Sequence, residues 1–199
     1  MYKLFAFLTL GFLVACSPNF SVADKDNATV KIILDRGHGS GVVIGDGTTI
    51  LTAKHVVEAD TDGIVTIKTN DGHEYKAKVV SMGVEDDVAK LKLLDDVVLP
   101  AAKLADSNPV VGDSVEVVGH PVNLEYIHTY GHVSSYQLDV MVYDATTYLG
   151  NSGGPIFNED GEVVGIVSYM YALSMGGMPA PIGYYFAEPV SDIREALDL

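Results

Sequence analysis

The chain has 199 residues, 48% of them hydrophobic and 20% charged, with 12 basic side chains against 27 acidic ones and a formal net charge of −15. That length suits one ordinary domain or two small barrels sharing a core, and the charge excludes a basic stripe of the kind that displaces phosphate counterions, so a general nucleic-acid binder and a binder of anionic membrane surfaces are both disfavoured. The single cysteine rules out an internal disulfide and a thiolate metal cluster.

Lys3 is followed by Leu4 to Ala15, an uncharged run too short to span a bilayer as a helix but matched to a signal-peptide core. It ends in Leu13-Val14-Ala15-Cys16, which is similar to the bacterial lipobox, where the cysteine is lipidated and becomes the new N-terminus. An ordinary secretory signal is the alternative. Residues 1–15 are therefore expected to be a lipoprotein-type signal peptide and residues 16–28 a polar tether. The membrane would be met only through a lipid on Cys16. Ser17 in place of Asp favours an outer-membrane lipoprotein facing the periplasm, and otherwise a secreted or periplasmic protein of the cell envelope.

From Thr29 onward, short runs rich in Val, Ile, Thr and Tyr alternate with Gly and Asp-Gly turn signals. The predicted strands are Thr29–Leu34, Gly41–Ile44, Thr49–Thr52, Ile64–Thr69, Glu74–Met82 and Val88–Leu93, then Ser114–Gly119, Tyr130–Ser134, Asp139–Tyr143, Val163–Tyr169 and Ile182–Ala187. Two helices are predicted: a short turn after His55 and a terminal helix over Ser191–Asp198, with Ser191 as N-cap. Strand character dips near Pro100–Pro109, placing one half at residues 29–105 and the other at 106–199. The pattern specifies an all-β chain of two small barrels.

Gly150-Asn151-Ser152-Gly153-Gly154-Pro155 is the sharpest local signal. A serine between glycines sits on uncluttered backbone whose N–H groups can converge on one oxygen, as an oxyanion hole requires. A Gly-rich turn between strands is the plain alternative. The string also matches G-x-S-x-G, but an α/β-hydrolase elbow must enter a helix and be followed by its histidine. Here Pro155 leads toward a strand, and the last histidine, His132, lies upstream.

Six histidines compete as base: His38, His55, His73, His120, His128 and His132. His55 ends an apolar strand, where a side chain can face a cleft. His128 and His132 have helical chelating spacing, but Gly131 and β-branched neighbours argue against a helix, and no metal site is expected. Glu58 to Thr69 only faintly matches a calcium loop, since Thr69 cannot supply the closing carboxylate. In Asp87-Val88-Ala89-Lys90-Leu91-Lys92-Leu93, period two places Asp87 on the face of Ala89, Leu91 and Leu93. A carboxylate there needs a donor, and a histidine N–H is one, which favours Asp87 over Asp86. A simple strand-end role for Asp87 remains open. The chain order His55, Asp87, Ser152 is that of the chymotrypsin-type triad.

At these residues the sequence resembles the chymotrypsin-like (trypsin-like) serine proteases, and within them the bacterial HtrA/Deg branch. The resembling stretches include Gly39-Ser40-Gly41, Leu51-Thr52-Ala53-Lys54-His55, Asp87-Val88-Ala89, Gly119-His120-Pro121 and Gly150 to Pro155, continuing through Gly161 to Ile166 and Phe186 to Val190. The resemblance implies two six-stranded antiparallel β-barrels with the active site in the cleft between them and a short C-terminal helix. It implies a serine endopeptidase in which His55, Asp87 and Ser152 act through an acyl-enzyme, and the N–H groups of Gly150 and Ser152 form the oxyanion hole. Ser168, Tyr169 and Met170 become the edge on which substrate pairs, and Thr146 the base of the primary pocket. No cofactor is implied, and the partners are polypeptides, unfolded or extended. A neutral Thr146 and a Val167 where glutamate-specific relatives carry His point to cleavage after small or medium apolar residues. A lipid-anchored, protease-fold peptide-binding module that is latent or non-catalytic is the alternative.

Four departures qualify the resemblance. Asn151 cannot form the ion pair that digestive relatives use for activation by N-terminal cleavage. His120 stands where the branch usually has Asn. The stretch Met170–Pro181 is an insertion near the substrate edge. Many HtrA-type proteins carry a PDZ domain; none is expected here, because the sequence ends about ten residues after Pro189.

Overall fold

Fifteen elements build the fold of the computed structural model, which describes residues 20–59, 62–175 and 178–199, with backbone alone over 172–181. The signal-peptide run, Cys16 and Ser17 lie outside the described residues. Six strands close the first barrel: β1 (Thr29–Ile33), β2 (His38–Ile44), β3 (Thr49–Thr52), β4 (Ile64–Lys68), β5 (Glu74–Met82) and β6 (Ala89–Leu93). They run in the order β1-β2-β3-β6-β5-β4. The second barrel comprises β7 (Ser114–Gly119), β8 (Ile127–Gln137), β9 (Val140–Tyr143), β10 (Pro155–Phe157), β11 (Val163–Met175) and β12 (Met178–Pro189). Its order is β10-β11-β12-β9-β8-β7, and every pairing in both barrels is antiparallel. Closure gives every strand a partner on both sides over at least part of its length, which suits a chain made almost wholly of strands.

Alternation sets which side chains fill each barrel. In β6, Ala89, Leu91 and Leu93 are buried while Lys90 and Lys92 face outward, as period two requires. Ile32, Ile50, Ile67 and Leu91 fill the first core; Met141, Tyr143, Ile156, Phe157 and Ile166 fill the second. Gly47 makes the Asp46-Gly47 turn possible: its φ is +75°, and a Cβ there would stand 2.5 Å from the Leu99 carbonyl. Between the barrels, Ala102 bridges to Ile44 and Leu104 to Val163, so the linker touches both halves.

Three local expectations are corrected. The stretch read as tether contains a helix, α1 (Val22–Ala28). A capping box starts it: Ser21 Oγ accepts from Asp24 N–H, while the Asp24 carboxylate accepts from Ser21 N–H. Tertiary contacts then hold it. Lys25 donates to Glu116 at 2.5 Å and lies 5.5 Å from the Phe157 ring centroid. The terminal helix, α3 (Val190–Leu197), takes Pro189 rather than Ser191 as its N-cap, because β12 runs straight into it and Ser191 is engaged by Asn108. Last, the three-residue β10 opens on Pro155 itself, outside the eleven predicted strands.

His128 and His132 both lie on β8 but do not converge. His128 is held between Glu116 (2.5 Å to Nδ1) and Asp26 (2.7 Å to Nε2). Both partners only accept, so both ring nitrogens must donate, and the imidazolium is the favoured form; its pKa is raised by the Glu116 hydrogen bond against the cost of burial.

Candidate active site

His55 stands on α2 (Lys54–Val57), a single helical turn that follows β3, so the strand aims the ring at the cleft between the barrels. Asp87 lies two residues before β6 and grips His55 twice. Its Oδ1 accepts the His55 backbone N–H at 3.0 Å, and its Oδ2 lies 2.8 Å from Nδ1. Because a carboxylate can only accept, Nδ1 carries the proton and Nε2 is left as the basic nitrogen facing the cleft. The hydrogen bond to Asp87 raises the His55 pKa above its ordinary value, outweighing partial desolvation. Burial alone would push Asp87 up, but the bonds from His55 and Ser168 hold it below the usual carboxylate range.

Two residues support Asp87 from the second barrel. The buried Ser168 hydroxyl on β11 donates to Oδ2, and the Glu188 carboxylate on β12 accepts the Asp87 backbone N–H at 3.3 Å. Ser168 was assigned to substrate pairing alone, and nothing local distinguishes a hydroxyl that points back at Asp87. Glu188 carried a legible signal, a carboxylate inside the apolar run Phe186-Ala187-Glu188-Pro189.

Glu188 is only 5% exposed, and its carboxylate, with those of Asp86 and Asp192, forms a cluster whose oxygens lie within 4.8 Å of one another. The cavity beside it is lined by Glu85, Asp86, Asp139, Asp192 and Glu195 as well. Burial first, then the charges of Asp86, Asp87 and Asp192, push its pKa up to about 7. An acid whose folded pKa exceeds its unfolded value keeps its proton in the native state after the unfolded chain has lost it. Stability therefore falls as pH rises from the ordinary glutamate value through about 7, and the loss is complete above that. Glu188→Gln is expected to stabilise the fold by about 1–2 kcal/mol at pH 8, after allowance for solvent screening, and to gain nothing at pH 4. Urea unfolding of both proteins at the two pH values measures this; equal differences at both would exclude a buried, protonated Glu188.

Ser152 sits in the turn that enters β10. Glycines are obligatory beside it. Gly150 has φ +102°, and a Cβ there would lie 2.4 Å from the His120 carbonyl oxygen. Gly153 has φ +83°, and its Cβ would meet Thr52 Oγ1 at 2.1 Å. The N–H groups of Asn151, Gly153 and Gly154 bond to the carbonyls of Tyr148, Val167 and Asn151, whereas those of Gly150 and Ser152 have no acceptor among the described residues. Val122 N–H donates to the Leu149 carbonyl at 2.8 Å. In a trans peptide the Gly150 N–H must then point the opposite way, free to meet an oxygen. Ser40 fixes the next peptide, its hydroxyl donating to the Gly150 carbonyl at 2.8 Å.

His120 is fully buried behind this loop, and burial lowers its pKa to about 3, so it stays neutral at physiological pH. Its Nδ1 lies 3.1 Å from Ser40 Oγ, and its carbonyl accepts from His38 Nε2 at 2.7 Å. The role of Ser40 and His38 behind this loop was not legible in the sequence because their partners are about eighty residues away, at His120.

His55 and Ser152 line one cavity of about 300 Å³ with Leu149, Val167, Tyr169 and Met170. Ser152 Oγ is 3.5 Å from the Ser168 carbonyl and makes no hydrogen bond to His55. Thr146, expected at the base of the pocket, is exposed, and Thr147 takes the lining position instead. The cause is the fully buried Tyr143, whose hydroxyl lies 2.9 Å from Thr147 Oγ1 and turns that side chain inward. Among the described residues, His55 is the only titratable group other than Tyr148 and Tyr169 on the cavity wall.

A profile of the trypsin-like peptidase domain matches residues 39–166. The chain is 38% identical over 172 residues to a probable periplasmic serine endoprotease, DegP-like, of Halomonas elongata, covering 82% of this chain and 35% of that protein. It is 36% identical over 173 residues to a protein of the same description from Rhizobium meliloti, covering 82% and 33%. It thus spans about a third of the length of these curated relatives. The crystal structure of the serine endoprotease from Yersinia pestis superposes with a TM-score of 0.74 at 30% identity, covering 89% of this chain and 65% of that one. With the paired barrels, the His55–Asp87 grip and the glycine-flanked Ser152 on the same scaffold, the chain belongs to the trypsin-like peptidases.

Proposed function

We propose that the protein is a serine endopeptidase that cuts extended or unfolded polypeptide segments in the cell envelope. The observation that carries it is the two-point grip of Asp87 on His55 beside Ser152, at the mouth of one mostly apolar cavity between the barrels. Ser152 Oγ attacks the scissile carbonyl while His55 Nε2 takes its proton, and the oxygen that becomes an anion is met by the N–H groups of Gly150 and Ser152. His55 then returns the proton to the departing amine, the C–N bond breaks, and an ester on Ser152 remains. Water, deprotonated by the same nitrogen, hydrolyses that ester and restores the hydroxyl.

The uncharged wall of Leu149, Val167 and Met170 favours small or medium apolar side chains at the cleaved residue. Ser168 to Met170 supply the edge on which the substrate backbone pairs. The periplasmic names of the relatives support an envelope location, and the lipobox supports anchoring through Cys16. Residues 1–15 act as the signal peptide, with the two barrels following from residue 29.

The latent or non-catalytic binding module keeps one observation in its favour: Ser152 Oγ bonds toward Ser168, not toward His55. Catalytic links of this kind are often long in the free enzyme and tighten only with substrate bound. Labelling with a fluorophosphonate probe separates the two readings. The purified protein is expected to take one probe per chain, on Ser152, at a rate that rises with pH. Because Asp87 raises the His55 pKa and only neutral imidazole accepts a proton, the midpoint of that rise should lie above the free histidine value of about 6.5. No labelling at pH 8 to 9 would favour the module; a rate independent of pH would remove His55 as the base.

A further inference from the structure

Five non-glycine residues have a left-handed backbone among the described residues: Val122, Tyr126, Leu138, Asp139 and Asp198. Three have a local reason. Leu138 and Asp139 make the two-residue turn between β8 and β9, and Asp198 is the C-cap of α3. Val122, at φ +56°, and Tyr126, at φ +53°, stand instead in the loop from β7 to β8. Tyr126 gains packing, since its ring meets the buried His120 ring edge-on at 4.6 Å. Val122 gains none of that kind: it is 50% exposed, and a β-branched residue is the least suited to this region. Leu124 N–H donates to the Pro121 carbonyl at 2.9 Å, closing a turn whose central residues are Val122 and Asn123. Only the first of them has positive φ, and turns of that kind place glycine there.

What the conformation secures is one hydrogen bond. Val122 N–H donates to the Leu149 carbonyl at 2.8 Å, and that carbonyl belongs to the peptide whose N–H is that of Gly150. No other donor meets the Leu149 carbonyl among the described residues. The neighbouring groups are braced separately: His38 Nε2 donates to the His120 carbonyl at 2.7 Å, and Ser40 Oγ to the Gly150 carbonyl at 2.8 Å. The Asn151 side-chain oxygen adds no brace, being buried without a partner among the described residues. Orientation of the Leu149–Gly150 peptide therefore depends on Val122. Strain that serves a single contact beside reacting groups is the kind a fold retains for function.

We propose that Val122 is a positioning residue of the oxyanion hole: its left-handed backbone holds the Leu149 carbonyl so that the Gly150 N–H faces the cleft, and its strain leaves the hole unformed in a share of the molecules. The inference deepens the endopeptidase reading and rests on it. Glycine at this position keeps the N–H and adopts positive φ without penalty, and asparagine, close to valine in size, does so with a small one. Val122→Gly is expected to raise kcat on a quenched-fluorescent peptide about threefold and Val122→Asn about twofold, with KM little changed. Val122→Pro fixes φ near about −65° and removes the N–H, so kcat should fall about a hundredfold. A peptidyl boronate reads the hole directly, because Ser152 Oγ adds to boron and a boron-bound oxygen takes the place of the oxyanion. Its affinity should follow kcat through all three variants. A purely structural role would lower the melting temperature or raise KM, and would make no variant faster than the wild type. Gly and Asn variants that are no faster and bind the boronate no tighter than the wild type overturn the proposal. So does a Val122→Pro protein that melts like the wild type and keeps its kcat. If the Pro variant does not fold, the Gly and Asn variants decide alone. If no form cuts peptide, calorimetry with the boronate carries the test: affinity rising from Val to Asn to Gly upholds the role of Val122 while the endopeptidase reading fails, and equal affinities overturn the role as well.

Discussion

Ser152→Ala is expected to lower kcat for peptide hydrolysis about a million-fold, since the remaining groups act only as a unit with the nucleophile. The fold should survive the change, because Ser152 Oγ contributes one long bond to the Ser168 carbonyl and its backbone is held independently by Ser40 N–H, which donates to the Ser152 carbonyl at 2.8 Å. Peptide affinity should be retained within about twofold, because the hydroxyl meets substrate chiefly in the transition state. Single-turnover cleavage of a quenched peptide, with equilibrium binding of the same peptide to the variant, gives both numbers. Turnover at the wild-type rate would exclude Ser152 as nucleophile, and lost binding with intact folding would mean that the side chain shapes the groove.

Asp87→Asn is the second large effect, with kcat expected to fall about ten-thousand-fold and KM to change little. Three donors converge on the Asp87 carboxylate: the His55 backbone N–H on Oδ1, and the His55 ring and the Ser168 hydroxyl on Oδ2. An amide offers one accepting oxygen and an NH₂ group, so one contact becomes donor against donor. If the NH₂ faces the ring, Nδ1 must accept, the proton moves to Nε2, and the base loses the lone pair that Ser152 needs. Ser168→Ala removes one charge-assisted donor and leaves the tautomer intact, so its cost should be only about tenfold. Steady-state kinetics of the two variants at pH 8, where His55 is increasingly neutral, distinguish these losses. Equal defects would mean that Asp87 acts through packing and not through the ring proton.

Much of the architecture was legible because barrel strands alternate. The Lys90–Lys92 face and the Ala89–Leu93 face announced β6, and the Asp-Gly turns marked where chains reverse. β10 escaped because three residues opening on Pro155 show no period, and only its pairing with Ile166 and Val117 makes it a strand. α1 escaped because Ser21 to Asn27 reads as polar tether; its stability comes from Lys25 and Asp26 reaching Glu116 and His128. The site divides in the same way. Asp87 was distinguishable from Asp86 by its phase on the strand, whereas Thr146 was placed in the pocket by the resemblance alone, and Thr147, bonded to the Tyr143 hydroxyl, lines the cavity.

The sequence by itself determined all the barrel strands but β10 and the two-half organisation, and it singled out His55, Asp87 and Ser152, because each is written in short-range pattern: period two, turn glycines and a glycine-flanked serine. Tertiary structure alone decided what those residues touch. Asp87 meets His55 across 32 residues and Ser168 across 81. Local pattern is set by backbone sterics and burial within a few residues, while a partner that distant is chosen by barrel closure, which no window of the sequence contains.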